Sequence, residues 1–139
     1  MKRILRKAIL FLAAVAVLAP CLSSCGKMDD GVSGKTYVWE KEGAGGDFSI
    51  KIKEGGTYSY YAGFLSSYIG YGTWELKDGI LTMTESPNLY DFVFRFQVKE
   101  GELVYIAEGS SGFMYVNVAD GDRFILSDEA PFPNVDINP

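Results

Sequence analysis

Few residues of this chain have side chains suited to catalysis. The 139 residues include no histidine, which removes the usual general base, the Ser-His-Asp and Cys-His arrangements and most zinc sites. Two carboxylates alone can hydrolyse a glycoside, but the acidic residues here fall mainly in short glycine-containing segments, at Glu54, Asp78, Glu100, Asp120 and Asp122. Acidic residues in such segments are typical of solvated turns. We therefore expect no catalytic residue and no enzymatic activity.

One acidic segment, Asp120-Gly121-Asp122, resembles a fragment of a calcium-binding loop. The other oxygen ligands that such a loop needs are missing at the required spacing. An acid followed by glycine is also a common hairpin turn. We interpret the segment as a turn, and we expect no metal and no cofactor.

Aromatic side chains are concentrated between Thr57 and Trp74. They are Tyr58, Tyr60, Tyr61, Phe64, Tyr68, Tyr71 and Trp74. Rings with a polar tip can stack on sugars or apolar ligands and donate a hydrogen bond, so Tyr58, Tyr60, Tyr71 and Trp74 are candidate ligand-binding residues. The same rings can instead fill the core of the domain. In that case the protein is a structural or protein-interaction module, inhibitor-like, without a ligand cavity.

The first 24 residues have the composition of a secretory signal peptide. Four basic residues lie within the first seven positions, and an apolar run of 12 residues follows from Ala8 to Ala19. A membrane-spanning helix needs about 20 apolar residues, and Pro20 follows this run directly. A cleaved signal peptide over residues 1–24 is therefore favoured over a permanent transmembrane anchor.

The residues that follow the apolar run, Leu22-Ser23-Ser24-Cys25, resemble the lipobox of bacterial lipoproteins. The resemblance implies cleavage before Cys25 and attachment of lipid to its thiol. Two or more acyl chains hold a protein stably on a membrane. The alternative is a plain signal peptide with incidental cysteines. Cys21 lies within the leader, so Cys25 is the single cysteine after it and no disulfide is expected.

Residues 25–35 combine the lipidated cysteine with a Gly- and Asp-rich segment, which predicts a flexible tether. Lys27 with Asp29 and Asp30 also resembles the export signal that some Gram-negative bacteria use to display lipoproteins on the outer face of the outer membrane. We expect a protein anchored to the outer membrane of the cell envelope, with surface display and a plain tether as the two interpretations of this segment.

Charge separates the leader from the rest of the chain. Removing the four basic residues of the leader leaves nine basic residues against 18 acidic ones. Such a surface repels phosphate, so nucleic acid is not an expected partner. The remaining expected partners are the membrane, through the anchor, and either a small ligand or an envelope protein.

From Thr36 the sequence alternates with a period of two, which predicts β-strands. The clearest case is Asp91 to Lys99, where Phe92, Phe94, Phe96 and Val98 share one face. Glycine-containing turns separate such segments. We predict nine short strands over 36–41, 47–53, 56–62, 68–76, 79–85, 90–98, 102–107, 113–118 and 122–127, followed by a Pro-rich tail over 129–139.

Strands joined by short turns form an antiparallel meander, and a meander of about eight or nine strands hides its edges by closing into a barrel. The sequence thus predicts an all-β domain over 36–128, a closed or partly closed barrel, with an open β-sandwich as the alternative. The stretch Gly56 to Glu85, with Gly72-Thr73-Trp74 and then Ile80-Leu81-Thr82-Met83-Thr84, resembles the small lipocalin-like domains of bacterial lipoproteins. That resemblance implies the barrel fold and no particular activity, since one fold hosts many functions.

Overall fold

The computed structural model describes residues 30–41, 48–63, 68–85 and 91–128. The predicted signal peptide, Cys25 and the Pro-rich tail lie outside these residues. Eight antiparallel strands close into a barrel in chain order, so the predicted all-β barrel is confirmed. The strands are β1 (Thr36–Trp39), β2 (Ser49–Ile52), β3 (Thr57–Tyr61), β4 (Ile69–Lys77), β5 (Ile80–Glu85), β6 (Phe92–Lys99), β7 (Glu102–Ile106) and β8 (Arg123–Ser127).

The barrel closes where the first strand pairs with the last. Thr36 lies opposite Ser127 and Trp39 lies opposite Phe124. Closure gives each of the eight strands a neighbour on both sides, which is the advantage of a barrel over an open sheet.

Alternation along the strands fills the interior with apolar side chains. The buried and partly exposed positions alternate strictly in β5 and β7, as expected for strands with one face in the core and one in water. The largest fully buried side chains are Tyr37, Tyr58, Tyr60, Phe48, Phe94, Phe96, Phe124, Ile50, Ile52, Leu81, Met83 and Leu103.

One end of the barrel carries tight turns. Asp78 and Gly79 both have positive φ, of 53° and 75°, which is the backbone conformation of a two-residue hairpin turn that matches the twist of the strands. The predicted turns around Gly55, Gly79 and Gly101 all lie at this end. We call it the closed end.

Residues 30–35 belong to the expected tether, yet they fold against the closed end. Asp30 accepts hydrogen bonds from the backbone N–H groups of Val32 and Ser33 at 3.0 and 2.7 Å. The N–H of Gly34 donates to the carbonyl of Ile52. The side chain of Val32 is fully buried. The folded unit thus begins at or before Asp30.

The opposite end, which we call the mouth, is where β1, β3, β5 and β7 finish and the longer connections lie. The connection from β7 to β8 covers residues 107–122, and we call it the plug loop. The ninth strand predicted over 113–118 is wrong, because these residues lie within this loop and form no strand.

Serine hydroxyls of the plug loop bond to the backbone of β6 in the part of that strand nearest the mouth. The N–H of Arg95 donates to Ser110 Oγ at 2.9 Å, and the N–H of Val93 donates to Ser111 Oγ at 3.1 Å. Ser111 N–H in turn donates to the carbonyl of Val93. Buried backbone groups require such partners, and here side chains supply them in place of a strand ladder.

Close contact between β4 and β5 depends on Gly72. A Cβ atom at this position would lie 2.0 Å from the carbonyl oxygen of Thr84 and 2.9 Å from Cα of Glu85. Both atoms belong to the backbone, so no side-chain rotation can make room. The two strands would have to separate at the mouth to accept any other residue.

We therefore expect Gly72→Ala to lower the free energy of unfolding by about 1–3 kcal/mol, the usual cost of overpacking. Urea unfolding followed by tryptophan fluorescence measures it. Gly112→Ala is the matched control, since no atom lies within 4 Å of its Cβ position. It should change the stability by less than about 0.5 kcal/mol. Equal midpoints for the two variants would contradict this account of the β4–β5 contact.

Candidate functional site

A carboxylate lies inside the mouth of the barrel. Glu85 is the last residue of β5 and follows Leu81 and Met83 on the inward-facing positions. It is only 4 % exposed. Charged side chains are almost never buried without a partner. The groups around Glu85 are therefore the first to consider as a functional site.

A tyrosine of β3 and the tyrosine that directly precedes β4 contact this carboxylate. The hydroxyl of Tyr60 donates to Glu85 Oε2 at 3.3 Å, and the hydroxyl of Tyr68 donates to Glu85 Oε1. Among the described residues, no lysine or arginine forms an ion pair with Glu85. Neutral hydroxyl groups alone thus stabilise the charge from within this part of the chain.

A third tyrosine lies in the same environment. Tyr58 is 1 % exposed, and its buried hydroxyl oxygen has no hydrogen-bond partner in the part of the chain that the structure describes. Burial raises the pKa of Tyr58 well above its usual range, and the charge of Glu85 raises it further. We call Tyr58, Tyr60, Tyr68 and Glu85 the tyrosine–carboxylate cluster.

Burial and the charge of Glu85 move the pKa of these tyrosines further above the physiological range. Burial is the largest cause of the raised pKa of Tyr60, and the charge of Glu85 is the next. For Tyr68, burial and its hydrogen bond to Glu85 raise the pKa to about 12. Each hydroxyl therefore remains a hydrogen-bond donor over the whole physiological pH range.

The ring of Tyr60 reaches the cluster by lying across β4. A Cβ atom on Gly70, the cross-strand neighbour of Tyr60, would lie 2.0 Å from Cε1 of that ring. Glycine is thus required at position 70 by the space that the Tyr60 ring occupies. The same packing leaves the Tyr60 hydroxyl within reach of Glu85.

Phe113 of the plug loop occupies the centre of the mouth. Its ring stacks on Phe94 with centroids 4.0 Å apart and an interplanar angle of 5°. It also meets the edges of Phe48 and Tyr60 at centroid distances of 5.0 and 5.2 Å. The contacts between Phe113 and these rings combine large apolar burial with preferred aromatic geometry. The protein thus fills the space beside its cluster with a loop side chain.

Polar contacts hold the ends of the plug loop. The hydroxyl of Tyr105 donates to the carbonyl of Ser111 at 2.8 Å. At the other end, the N–H of Ala107 donates to Asp120 Oδ1, and the N–H of Ala119 donates to Asp122 Oδ2, each at 2.9 Å. The predicted Asp120-Gly121-Asp122 turn is confirmed, and both acids accept hydrogen bonds from the loop backbone.

Asp122 also forms an ion pair with Lys41, with an N–O distance of 2.6 Å. Burial acts to raise the pKa of Asp122, but the hydrogen bonds from Lys41 and from the Ala119 N–H outweigh it. The net effect is a lowered pKa. This pair links the plug loop to the end of β1.

Tyr115 stands at the rim of the mouth with most of its surface in water. Its side chain is 75 % exposed, and its ring lies 6.3 Å from that of Tyr68, centroid to centroid. Its φ is +66°, a left-handed conformation that costs a residue other than glycine about 1 kcal/mol. The loop therefore holds an exposed ring in an unfavourable backbone conformation while Phe113, two residues earlier, is buried.

The structure brings some of the predicted site residues together and separates others. Tyr58 and Tyr60 lie side by side on the inner face near Glu85. Trp74 also faces inward, but near the closed end, where its indole N–H donates to the carbonyl of Lys53 at 3.1 Å. Tyr71 pairs with Ser59 and alternates with the inward positions of β4, so it lies on the outer face of the barrel.

Three residues of this site were not identified from the sequence: Glu85, Tyr68 as its hydrogen-bond donor, and Phe113. Glu85 has a recognisable signal, because it continues the inward alternation of Leu81 and Met83 and is the one acid on that face of β5. Phe113 has no such signal, since an isolated aromatic residue in a loop is equally compatible with a strand or a surface position.

The described ranges contain no group of three or more acidic or cysteine side chains placed to hold a metal ion. They also contain no helix with the length and hydrophobicity to cross a membrane. In comparisons with known proteins, no family model, no curated protein and no solved structure matches the chain.

The packing of Phe113 predicts that its loop depends on the barrel interior. Replacing Phe113 by alanine should lower the free energy of unfolding by about 3–5 kcal/mol, since the ring is almost fully buried. Tyr115→Ala, in the same loop, should change it by less than about 0.5 kcal/mol, because its ring is exposed. Thermal and urea unfolding measure both. Similar losses for the two variants would argue against an inserted Phe113.

Proposed function

We propose that this chain is a lipid-anchored protein of the bacterial cell envelope whose barrel is a non-catalytic binding module. The basic start, the short apolar run and the Leu22-Ser23-Ser24-Cys25 segment support the anchor. The confirmed barrel supports a folded module behind it. We further propose the outer membrane as its location, with the exposed face of the cell as one of two possible sides.

The observation that carries the binding function is the buried Glu85. Among the described residues, the partners of this carboxylate are tyrosine hydroxyls, and a buried hydroxyl without a described partner lies beside it. An apolar side chain of similar size would stabilise the interior at least as well as such a group. Buried polar groups that converge in an otherwise aromatic interior are typical of ligand sites. The site would take its ligand through the mouth, where the plug loop lies.

A second candidate function is a structural or protein-interaction module with a solid barrel. The stacking of Phe113 on Phe94 favours it, since the loop already fills the space beside the cluster. Tyr115 would then be the contact residue, because tyrosine is enriched where proteins meet and this ring is 75 % exposed. In both cases the mouth is the functional end of the barrel.

The anchor is tested by growing cells with radiolabelled palmitate. We expect the label on the mature protein, an N-terminus at Cys25 by mass spectrometry, and membrane association that resists high salt. Cys25→Ala should remove the label and release the protein from the membrane. An unlabelled wild-type protein, or an N-terminus elsewhere, would refute the lipid anchor. Protease treatment of intact cells then distinguishes the surface from the periplasmic face.

The two candidate functions are separated by native mass spectrometry of the full protein, extracted from the membrane in mild detergent. A bound small molecule that is lost on gentle activation supports the ligand-binding module. A photo-crosslinking amino acid at position 115 tests the other function in living cells. A crosslink to an envelope protein, without any small-molecule adduct, would support the solid barrel and contradict ligand binding.

A further inference from the structure

The tyrosine–carboxylate cluster contains a buried carboxylate with no cationic partner among the described residues. Glu85 is buried, and the described residues offer it only the hydroxyls of Tyr60 and Tyr68. Removing a carboxylate from water is costly unless an opposite charge or several hydrogen bonds replace the water. A cation placed beside Glu85 would meet this requirement.

The unpartnered hydroxyl of Tyr58 points to the same conclusion independently. It is buried within the cluster and lacks a hydrogen-bond partner among the described residues, and leaving a buried hydroxyl unsatisfied is unfavourable. Because this hydroxyl can accept as well as donate, it can accept a hydrogen bond from an ammonium group that also contacts Glu85. One ligand cation would thus satisfy both groups.

The walls around the cluster are aromatic and suit an organic cation rather than a metal ion. The rings of Tyr60 and Tyr68 lie 6.1 Å apart, centroid to centroid, beside the carboxylate. Aromatic faces attract ammonium groups through their negative quadrupole. A metal ion would need several oxygen or nitrogen ligands, and the described residues place no three acidic or cysteine side chains together.

Phe113 marks where the apolar part of such a ligand would lie. Its ring is sandwiched against Phe94 and touches Phe48 and Tyr60, and Tyr60 in turn reaches Glu85. The side chain of Tyr60 therefore connects a ring in this position to the carboxylate of Glu85. The plug loop also carries Tyr115 in a left-handed backbone conformation.

We propose that the mouth of the barrel binds a small organic ammonium ion with an aromatic body, the ammonium group at Glu85 and the ring in the place of Phe113. This inference rests on the proposed binding function and specifies its ligand class. The acidic surface, with nine basic against 18 acidic residues after the predicted leader, attracts cations toward the barrel.

The test compares two probes of the same shape and different charge, 2-phenylethylamine and 2-phenylethanol, at pH 7.5. Isothermal titration calorimetry on the full lipidated protein in a neutral detergent measures both affinities. We expect the wild-type protein to bind the ammonium probe at least about ten-fold more tightly than the alcohol. Phe113→Ala should bind both probes more tightly, because the ligand no longer displaces a side chain.

Glu85→Gln should abolish the preference for the ammonium probe, since the amide keeps the shape and loses the charge. The matched control is Glu75→Gln, which changes the same charge at an exposed position on the outer face of β4 and should leave the preference unchanged. Thermal unfolding establishes that each variant is folded. If Glu85→Gln is unfolded, the comparison of the two probes on the wild-type protein and on Phe113→Ala decides alone.

The outcomes separate this inference from the proposed function. Equal binding of the two probes, or tighter binding of the alcohol, would overturn the ammonium site while leaving a ligand-binding mouth. An undiminished preference in a folded Glu85→Gln variant would overturn the role of that carboxylate. No binding of either probe, to the wild-type protein or to Phe113→Ala, would overturn the ammonium site and count against ligand binding at the mouth.

Discussion

Closure of the sheet is the constraint on which the rest of this structure depends. Once β1 pairs with β8, the inward-facing side chains of eight short strands must share one interior. An eight-stranded barrel has just enough room for side chains or one small ligand. The aromatic residues occupy that room, and the glycines at 70 and 72 lie where rings or a neighbouring backbone leave no space for a side chain. The residue types in the interior therefore depend on the available volume as much as on hydrophobicity.

The same constraint explains why Glu85 is notable. Side chains of β5 alternate between the two faces of the barrel, so Leu81 and Met83 point inward. The next inward position is the carboxylate of Glu85. On an open strand end such a residue would simply extend into water. In a closed barrel it lies under the plug loop and beside three tyrosines, so its charge must be stabilised by whatever the interior offers. Hydroxyl donors with a raised pKa do so without changing their own charge.

Local sequence patterns predicted the strands and turns well, because both depend on nearest neighbours. A period of two sets which face a strand buries, and Asp78-Gly79 specifies its hairpin turn through positive φ. The prediction of a ninth strand was wrong for a non-local reason. Phe113 leaves the surface because the mouth holds a slot between Phe94 and Phe48, and Ser110 and Ser111 replace the missing strand with their hydroxyls.

The candidate site was only partly accessible from the sequence for a similar reason. The concentration of tyrosines near Tyr58 and Tyr60 was visible, but which of them share a face follows from the register of β3 against β4. That register puts Gly70 and Gly72 opposite these two rings and sends Tyr71 to the outside. Tyr68 and Phe113 join the site from connections whose paths depend on the finished barrel.

The position of the chain entry links the proposed anchor to the proposed site. Residues 30–35 enter β1 at the closed end, where Val32 is buried and Gly34 bonds to Ile52. Four residues lie between Cys25 and Asp30, so even a fully extended chain of five Cα–Cα steps would span no more than about 18 Å. A lipid on Cys25 would thus hold the closed end near the membrane.

Because the strands run between the two ends, the mouth, with Glu85 and the plug loop, would face away from the lipid and toward the aqueous phase. A charged, water-soluble ligand would reach it from that side without crossing the bilayer surface.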